Sequence, residues 1–383
     1  MSSEQDRIPV RFLQQRIATA ESKIGALSAD ALLVLADAQK GYLSGVTTGV
    51  HIAPGGAVLI TEGPEANFYV TSGTDFEQCK IETAPAGFEV KGYFRDQDQS
   101  MVGETARLAA ELGLRSVAVE ARHVSMEEFN RLQHAFQQVG VQLVTVTGVI
   151  DPLREVKDAW EIEQIRRANE VNRIAFEHVV QQVKPGVTEW QLAAELESQM
   201  LANGHGSSRV GFQSIVVSGP RSCLPHGSPS RRALEKGDFV TIDFGATWNG
   251  YTADTTRTFV VGKASDRQRA VYSAALDGQL AAIELMKPDV RRRDAPETAA
   301  ALITERGFGG HMSHGAGGHG IGLEVHEGPS TGDEGVWVPG NVMTIEPGIY
   351  FRDWGGVRIE DNIVITAGGA ENITFIGKEL LEL

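Results

Sequence analysis

Apolar and polar positions alternate in two different ways along the chain, and the difference divides it into two parts. Over the first 150 residues, short β-rich apolar runs alternate with segments whose apolar residues recur at helical spacing. The predicted strands are 31–36, 57–60, 67–70, 116–119 and 141–149, and the predicted helices are 7–22, 101–112 and 125–139. Strands that alternate with helices in this way predict a small α/β domain.

The pattern changes near residue 152, which we take as the boundary between domains 1–152 and 153–383. Thr188, with Gln191 three residues later, has the signature of a capping box and predicts the start of a helix. The predicted helices of this part are 158–183, 188–204, 264–286 and 295–306, and the predicted strands are 212–218, 239–248, 252–261, 342–346 and 356–365. This part therefore contains both helices and strands.

The charge of the chain excludes several classes of protein. The chain has 383 residues, with 35 Lys and Arg against 50 Asp and Glu, and its formal net charge is −15. Such a surface repels phosphate backbones and anionic lipids, so we expect neither nucleic acid nor a membrane as a partner. No apolar run is long enough to span a bilayer and no signal-peptide core is visible, so we expect a cytoplasmic location. Cys79 and Cys223 allow at most one long-range disulfide.

Two aspartates lie on either side of a predicted hairpin turn. Asn249 and Gly250 separate two β-rich runs, and this dipeptide is a strong signal for a two-residue turn. In that register Asp243 pairs with residue 256, and Asp254 becomes its diagonal neighbour, about 7–8 Å away at Cα. Two carboxylates on one partly buried face repel each other unless they are protonated or bind cations. The spacing alone fits equally well one Asp that caps a turn and one that is solvated.

Two further carboxylates occur near the end of the chain. Glu346 ends a predicted strand at the sequence Glu-Pro-Gly. Arg358 and Glu360 share one face of the next predicted strand, because successive side chains alternate between faces. Taken alone, this second pair also fits an ordinary surface contact between an arginine and a glutamate.

A glycine-rich segment, 314–329, carries His319 and His326. Residues 315–320 formally match a dinucleotide-binding fingerprint, but no helix is predicted after them and Pro329 follows closely, so we reject that interpretation. We expect the glycines instead to let the backbone approach a crowded site around His319.

Considered together, these residues predict a metal site. Four carboxylates and one histidine occur at strand ends or turns of a single domain: Asp243, Asp254, His319, Glu346 and Glu360. Such an oxygen-rich set suits Mn²⁺, Co²⁺ or Zn²⁺ and not a structural cysteine-zinc site. Four anionic ligands exceed the charge of one divalent ion, which favours two ions.

This set of motifs resembles the pita-bread metallopeptidase family, which includes methionine aminopeptidase, aminopeptidase P, prolidase and the metal-free relative creatinase. The resemblance covers about residues 154–368 and implies an α+β pita-bread fold for the second domain. The preceding segment resembles the creatinase-type N-terminal domain, which favours the proline-directed branch. The matching stretches are Asp243-Phe-Gly, Gly-Tyr-Thr-Ala-Asp254, Gly-His319-Gly-Ile-Gly-Leu-Glu-Val-His326-Glu-Gly-Pro, Ile-Glu346-Pro-Gly-Ile-Tyr, Gly-Gly-Val-Arg-Ile-Glu360-Asp and Leu224-Pro-His226-Gly.

The resemblance implies a role for each of these residues. The five residues of the predicted metal site would hold two divalent ions, with Asp254 and Glu360 bridging them and Mn²⁺ expected ahead of Co²⁺ or Zn²⁺. His226 and His326 would contact the substrate or stabilise the tetrahedral intermediate. Glu346 would also carry a proton to the leaving nitrogen, and Arg358 would hold a metal-binding carboxylate in place.

The implied activity is hydrolysis of the Xaa-Pro amide bond, which releases the N-terminal residue from peptides with proline at the second position. A homodimer is also expected from the resemblance. An apolar pocket would hold the proline ring, and the aromatic residues near the relevant strands are candidates for it, although core packing explains them equally well. These residues are Trp337, Tyr350, Phe351 and Trp354.

The chain departs from the family pattern at two points. Gly315 stands where many proline-directed members have an accessory histidine, and His314 lies one residue earlier. Between Pro329 and Pro347 there is no Arg or Lys to bind the carboxylate of a dipeptide. This favours aminopeptidase P-like or broader substrates over strict dipeptide cleavage, unless Arg352 or another domain supplies the cation. Two alternatives stay open: a non-peptidase amidohydrolase for a creatine- or ectoine-like molecule, and a catalytically inactive binding protein.

Overall fold

The structure, a computed structural model, describes residues 7–46, 56–61, 67–97, 99–204, 210–312 and 316–383. The chain divides into two compact units, Met1–Arg154 and Glu155–Leu383. Both cysteines are free. Within the described ranges, no helix has the length and apolar character needed to cross a membrane.

The first unit contains a mixed sheet between helices. Its helices are α1 (Val10–Ile24), α2 (Asp37–Ser44), α3 (Phe76–Thr83), α4 (Met101–Glu111), α5 (Met126–Gln138) and α6 (Asp151–Arg154). Its strands are β1 (Ala31–Val34), β2 (Ala57–Thr61), β3 (Phe68–Ser72), β4 (Glu89–Tyr93), β5 (Ser116–Glu120) and β6 (Gln142–Val146).

The six strands of the first unit lie in the order β4-β3-β2-β1-β5-β6. Strand β2 is antiparallel to β1 and β3, and the other pairs are parallel. Leu33, Leu59 and Val117 of the sheet pack with Leu132 and Phe136 of α5 in a buried core. The predicted α/β class is therefore confirmed.

Four of these helices and strands were not predicted: α2, α3, β4 and the one-turn helix α6. The structure shows a physical reason for the first three. Helix α2 buries the polar Gln39 and Lys40, so its sequence has no apolar stripe. Helix α3 buries only Cys79 and Thr83. Strand β4 lies at the sheet edge and has only Val90 and Tyr93 as large apolar residues, separated by Lys91 and Gly92, so it contains no apolar run.

The second unit contains the predicted metal-binding motifs. Its helices are α7 (Ala159–Val180), α8 (Glu189–Asn203), α9 (Asp266–Leu285) and α10 (Asp294–Glu305). Its strands are β7 (Ile215–Ser218), β8 (Phe239–Phe244), β9 (Thr247–Trp248), β10 (Tyr251–Thr252), β11 (Thr255–Val260), β12 (His319–Gly320), β13 (Glu327–Ser330), β14 (Val342–Ile345), β15 (Gly348–Phe351), β16 (Gly355–Arg358), β17 (Asp361–Thr366) and β18 (Gly369–Asn372). The predicted capping box of Thr188 and Gln191 is present at the start of α8.

Two helix pairs cover the strands of this unit. Helices α7 and α8 pack on β8 and β11, with Phe176, Leu196 and Ile242 in the shared core. Helices α9 and α10 pack on the strands of the later hairpin, with Ala275 and Ile345 in a second core. The unit is therefore α+β, as predicted, with one helix pair behind each group of strands.

The predicted hairpin register around Asn249 and Gly250 is confirmed. Both residues have positive φ, 50° and 82°, as a two-residue turn of this kind requires. Asp243 pairs with Thr256 across β8 and β11, as the spacing predicted. The long strands predicted over 239–248 and 252–261 were wrong in one respect. The first is interrupted at residues 245–246 and the second at residues 253–254, which include Asp254.

A second hairpin is interrupted in the same way. Ile345 pairs with Asp361 and Gly348 pairs with Arg358, but residues 346–347 and 359–360 between them leave the ladder. The single strand predicted over 356–365 was therefore wrong. The cause lies in competing backbone partners. The amide of Glu360 bonds Thr256 O of the first hairpin at 3.1 Å, and the amide of Glu346 bonds Gly317 O at 3.0 Å.

Candidate metal centre

The two strand interruptions bring acidic side chains together. Asp243, from β8, and Asp254, from the first interruption, are both buried, and so is Glu360, from the second. Each has one carboxylate oxygen without a hydrogen-bond donor among the described residues: Asp243 Oδ1, Asp254 Oδ1 and Glu360 Oε1. Buried oxygens that lack donors are costly unless a cation occupies the space between them.

Mutual repulsion shows in the pKa values of these groups. Burial, followed by the charges of Glu360 and Asp243, raises the pKa of Asp254 well above its ordinary value. Burial, followed by the charges of Glu346 and Asp243, does the same to the pKa of Glu360. Burial is also the main cause that raises the pKa of Glu346 to about 7. Without cations the site cannot hold all these carboxylates in ionised form, whereas divalent ions would remove the conflict.

His319 supplies the nitrogen ligand candidate. Its Nε2 lies 3.6 Å from Asp254 Oδ2 and 3.4 Å from Glu346 Oε1, while Nδ1 lies 3.1 Å from Gly320 O. Burial, then the neighbouring His326, lowers the pKa of His319 to about 4. The ring is thus neutral at physiological pH, which is the form that binds metals. A backbone carbonyl partner at Nδ1 is the usual arrangement that directs Nε2 at an ion.

One grouping of ligand atoms among the described residues combines both interruptions with the glycine-rich segment. Asp254, His319 and Glu360 each offer one atom within 4.8 Å of the others. Since these donors are oxygen-rich, neutral at nitrogen and partly unpaired, the residues present fit divalent metal ions.

Arg358 anchors one of these carboxylates from behind. Its guanidinium pairs with Asp243 Oδ2 and also donates to Thr256 Oγ1, Pro225 O and Tyr350 OH, each at 3.0 Å. Burial opposes ionisation of Arg358, but the charge of Asp243 outweighs it and keeps the pKa of the guanidinium above its ordinary value. Arg358 therefore fixes one oxygen of Asp243 and leaves the other free.

Two glycines of the segment before His326 are required by close backbone approach. A Cβ on Gly318 would lie 2.0 Å from Thr344 O, and one on Gly320 would lie 2.5 Å from Gly328 O. The expectation that these glycines admit backbone around His319 is confirmed. This close approach lets Thr344 link two candidate ligands: its hydroxyl accepts from the amide of His319 at 3.0 Å and donates to Glu346 Oε1 at 3.2 Å.

The two predicted substrate-side histidines lie beside this cluster. The rings of His319 and His326 are 3.9 Å apart at their centroids and nearly perpendicular. Burial, then the proximity of His226, lowers the pKa of His326. His226 is itself exposed, and the carbonyl of the preceding Pro225 bonds Arg358. His314, with Gly315, lies outside the described residues.

The aromatic candidates for a proline pocket have other contacts. Trp337 is wholly buried in the α9–α10 core, so core packing is the better interpretation for this residue. The hydroxyl of Tyr350 bonds Arg358. Phe351 and Trp354 pack edge to face at 5.2 Å, with Arg267 lying over both rings.

Sequence reasoning missed the polar residues that support the ligands. Thr256 Oγ1 donates to Glu360 Oε2 at 2.6 Å while accepting from Arg358. Asn362 binds the backbone of Asp254, accepting from its amide at 3.3 Å and donating to its carbonyl. The one signal for Thr256 was its predicted pairing with Asp243, and nothing in the sequence pattern pointed to Asn362.

Comparisons with known proteins agree with this geometry. Residues 163–367 match the model of metallopeptidase family M24, and residues 16–156 match the creatinase/prolidase N-terminal domain. The chain therefore belongs to metallopeptidase family M24, as the motifs predicted, and is a hydrolase of the peptidase class. Binding of divalent metal ions is a property of this family.

Individual relatives match over nearly the whole chain. The Xaa-Pro dipeptidase of Pyrococcus furiosus is 37% identical over 85% of this chain and 89% of its own length. The solved Xaa-Pro dipeptidase of Bacillus anthracis is 33% identical with a TM-score of 0.88, covering 97% of this chain and 100% of that one. The solved X-Pro aminopeptidase of Thermotoga maritima is 34% identical with a TM-score of 0.84, covering 95% and 99%.

Proposed function

We propose that this protein hydrolyses the peptide bond before proline by means of two divalent metal ions. The observation that carries the proposal is the group formed by Asp254, Glu360 and the neutral ring of His319, in which each residue offers one ligand atom within 4.8 Å of the others. Asp243, Asp254 and Glu360 each add a buried carboxylate oxygen that has no donor among the described residues. The family and its relatives named for Xaa-Pro cleavage support the substrate class.

The proposed ligands of the two ions are Asp243, Asp254, His319, Glu346 and Glu360. Asp254 and Glu360 would be the ligands shared by both ions, as the family resemblance implies. These two carboxylates each offer one ligand atom within 4.8 Å of the others in a group with His319, whereas Arg358 holds one oxygen of Asp243. Mn²⁺ is the proposed ion, with Co²⁺ or Zn²⁺ as alternatives, because the set is dominated by carboxylates. When bound, the ions would supply an activated water molecule and polarise the scissile carbonyl.

The chain's own groups would then handle the proton and the developing charge. Glu346 is the most exposed of the four carboxylates, with 27% of its side chain accessible against 10% for Asp243, so it is the proposed carrier of the proton to the leaving nitrogen. His326, next to His319, is the proposed hydrogen-bond donor to the oxyanion, and His226 is proposed to contact the peptide.

Substrate length is the finer part of the proposal. A dipeptide needs a cation for its terminal carboxylate, and the segment between Pro329 and Pro347 has none. Arg292 and Arg293, which pack on this segment, already contact Asp333 and Glu334. We therefore propose aminopeptidase P-like cleavage of longer Xaa-Pro peptides, with dipeptides as weaker substrates, although several relatives are named dipeptidases.

The cellular context completes the proposal. We propose a homodimer in the cytoplasm, the dimer being what the family resemblance implies. We propose no nucleic-acid or membrane partner, because a net charge of −15 repels phosphate backbones and anionic lipids. Sedimentation of the purified chain tests the dimer, and a single species of monomer mass would contradict it.

The activity is tested with matched peptides. Chelator-treated protein is reloaded with Mn²⁺, Co²⁺ or Zn²⁺ and assayed on Ala-Pro, Ala-Pro-Ala and longer Ala-Pro peptides, with Ala-Ala-Ala as the control. We expect metal-dependent release of alanine, fastest from the longer proline peptides. Cleavage of none of them would refute the peptidase, and cleavage of Ala-Pro alone would refute the length preference. Binding of less than one ion would favour an inactive binding protein, and hydrolysis of creatine would favour the small-molecule alternative.

A further inference from the structure

In the second unit, a buried side-chain amide from a helix forms hydrogen bonds with each interrupted hairpin. At the first interruption this amide is Asn172 of α7, and at the second it is Gln279 of α9. Both side chains are 0% exposed. A buried amide must find partners for its two N–H groups and its oxygen, so these positions are specified by what they bond.

Gln279 bonds the backbone immediately before two proposed ligands. Its Nε2 donates to Ile345 O at 3.1 Å and to Ile359 O at 3.2 Å, and these residues precede Glu346 and Glu360. Both hydrogens of the amide are used, one on each strand of the interrupted hairpin. A single side chain thus sets the spacing between the strands from which both glutamates project.

A cation fixes the orientation of this amide. Lys378 Nζ donates to Gln279 Oε1 at 3.2 Å and pairs with Asp361 Oδ2 at 2.6 Å. Because the lysine can only donate, the amide oxygen must face it and Nε2 must face the two carbonyls. Asp361, the residue after Glu360, is held in turn by Arg257 at 2.7 Å.

Asn172 provides the same kind of support at the first interruption. Its Nδ2 donates to Phe244 O at 3.3 Å and to Thr255 Oγ1 at 3.1 Å, and its Oδ1 accepts from the amide of Ala246 at 2.8 Å. Thr255 is the residue after Asp254. Two hairpins that leave their ladders at the metal site are therefore held by the same chemistry from two helices.

We propose that Gln279 is a positioning residue for the metal centre, and that it sets the separation of Glu346 and Glu360 through the carbonyls of Ile345 and Ile359. The inference rests on the proposed metal site but not on the proposed substrate. Loss of the amide would free two buried carbonyls and let the strands relax, so the glutamates would lose their preset geometry before any ion binds.

The test compares two glutamines of one helix. Gln279→Met keeps the side-chain volume and removes the amide, and Gln268→Met does the same to a buried amide at the start of α9 that donates to Gly237 O at 2.9 Å. Mn²⁺ affinity is measured by calorimetry on chelator-treated protein, and stability by urea unfolding of the metal-free form. We expect both variants to lose stability, but only Gln279→Met to bind Mn²⁺ about 10–100-fold more weakly.

A second variant, Lys378→Met, keeps the inference testable if Gln279→Met does not fold. Lys378→Met removes the donor that orients Gln279 Oε1, and because this lysine is partly exposed (19%), we expect a folded protein with a smaller loss of Mn²⁺ affinity. Unchanged affinity in Gln279→Met or, where that variant does not fold, in Lys378→Met would overturn the inference, as would equal losses in Gln279→Met and Gln268→Met. Wild-type protein that binds no Mn²⁺ would overturn the metal centre itself, whereas wild type that binds Mn²⁺ without cleaving Xaa-Pro would overturn only the substrate.

Discussion

Thr256 and Glu360 lie on different hairpins, and the Thr256 hydroxyl donates a 2.6 Å hydrogen bond to Glu360 Oε2. The same hydroxyl accepts from Arg358 Nε at 3.0 Å. Glu360 Oε2 is thereby occupied, and Oε1 is left as the oxygen without a donor among the described residues. Thr256 thus leaves Oε1 as the oxygen of Glu360 that is available to the proposed ions.

Thr256→Val should weaken metal binding without unfolding the protein. Valine keeps the β-branched shape that suits the strand but neither donates to Glu360 nor accepts from Arg358. We expect about a 10–100-fold loss of Mn²⁺ affinity, measured by calorimetry. Thr241→Val is the matched control, because Thr241 is buried in the paired strand and bonds the hydroxyl of Thr258 at 3.0 Å. Equal affinities of Thr256→Val and wild type would contradict this role.

His326→Leu should separate catalysis from metal binding. The rings of His326 and His319 are in contact, and the ring nitrogen Nε2 of His319 lies within 3.6 Å of carboxylate oxygens. We expect His326→Leu to retain both ions and lose about 100-fold or more in kcat, because leucine has no donor for the developing oxyanion. His319→Leu should lose ions as well as activity. Metal analysis beside the peptide assay distinguishes the two, and ion loss in His326→Leu would move that residue into the ligand set.

The sequence predicted well those features that depend on local chemistry. The pairing of Asp243 with Thr256 followed from the Asn249-Gly250 turn, because turn type fixes register in a hairpin. The start of α8 followed from a capping box within four residues. Both interruptions were missed, since they depend on bonds between distant segments, such as the amide of Glu360 to Thr256 O.

The residues of the candidate site also fall into those that local sequence motifs reveal and those whose role depends on distant contacts. Its acidic residues and His319 were identified from their chemistry and their motifs, which are short and continuous in sequence. Gln279 and Asn362 were invisible, because a buried amide in a helix or strand has no distinctive spacing and gains meaning only from the backbone beside it. Trp337 illustrates the opposite error, since an aromatic residue near the motif proved to be core.

Gly318→Ala should damage the site through the backbone. The added Cβ would lie 2.0 Å from Thr344 O, so the segment before His319 must move away from the strand that carries Glu346. We expect about 1–3 kcal/mol of lost stability and weaker Mn²⁺ binding, measured by urea unfolding and calorimetry. Gly310→Ala is the control, because a Cβ there meets nothing within 4 Å. A Gly318→Ala protein that binds Mn²⁺ like wild type would show that the loop tolerates the shift.

Glu360→Gln should stabilise the metal-free protein and lose this advantage over wild type when metal is added. The pKa of Glu360 is raised in the folded metal-free protein, mainly by burial and then by Glu346 and Asp243. A carboxyl with a raised pKa holds its proton in the folded state after the unfolded state has lost it, so folding becomes less favourable as pH rises above about 4.5. In the presence of chelator, Glu360→Gln should therefore unfold at a higher urea concentration than wild type, with a difference that grows from pH 5 to pH 8.

The same variant should lose that advantage in Mn²⁺, because an ion that binds only the folded state stabilises wild type more when it binds more tightly.

Glu170→Gln is the control for the pH dependence and for the response to Mn²⁺. Glu170 lies partly exposed on α7, where a hydrogen bond from Arg173 lowers its pKa, so its substitution should give a small effect of the opposite pH dependence and no response to Mn²⁺. The histidines titrate in the opposite sense, since the lowered pKa of His319 makes folding more favourable between pH 4 and 6.5. The effect of Glu360 is therefore read from the difference in unfolding stability between Glu360→Gln and wild type, in which the contribution of the histidines cancels. If this difference in the presence of chelator stays constant from pH 5 to pH 8, the raised pKa of Glu360 is contradicted.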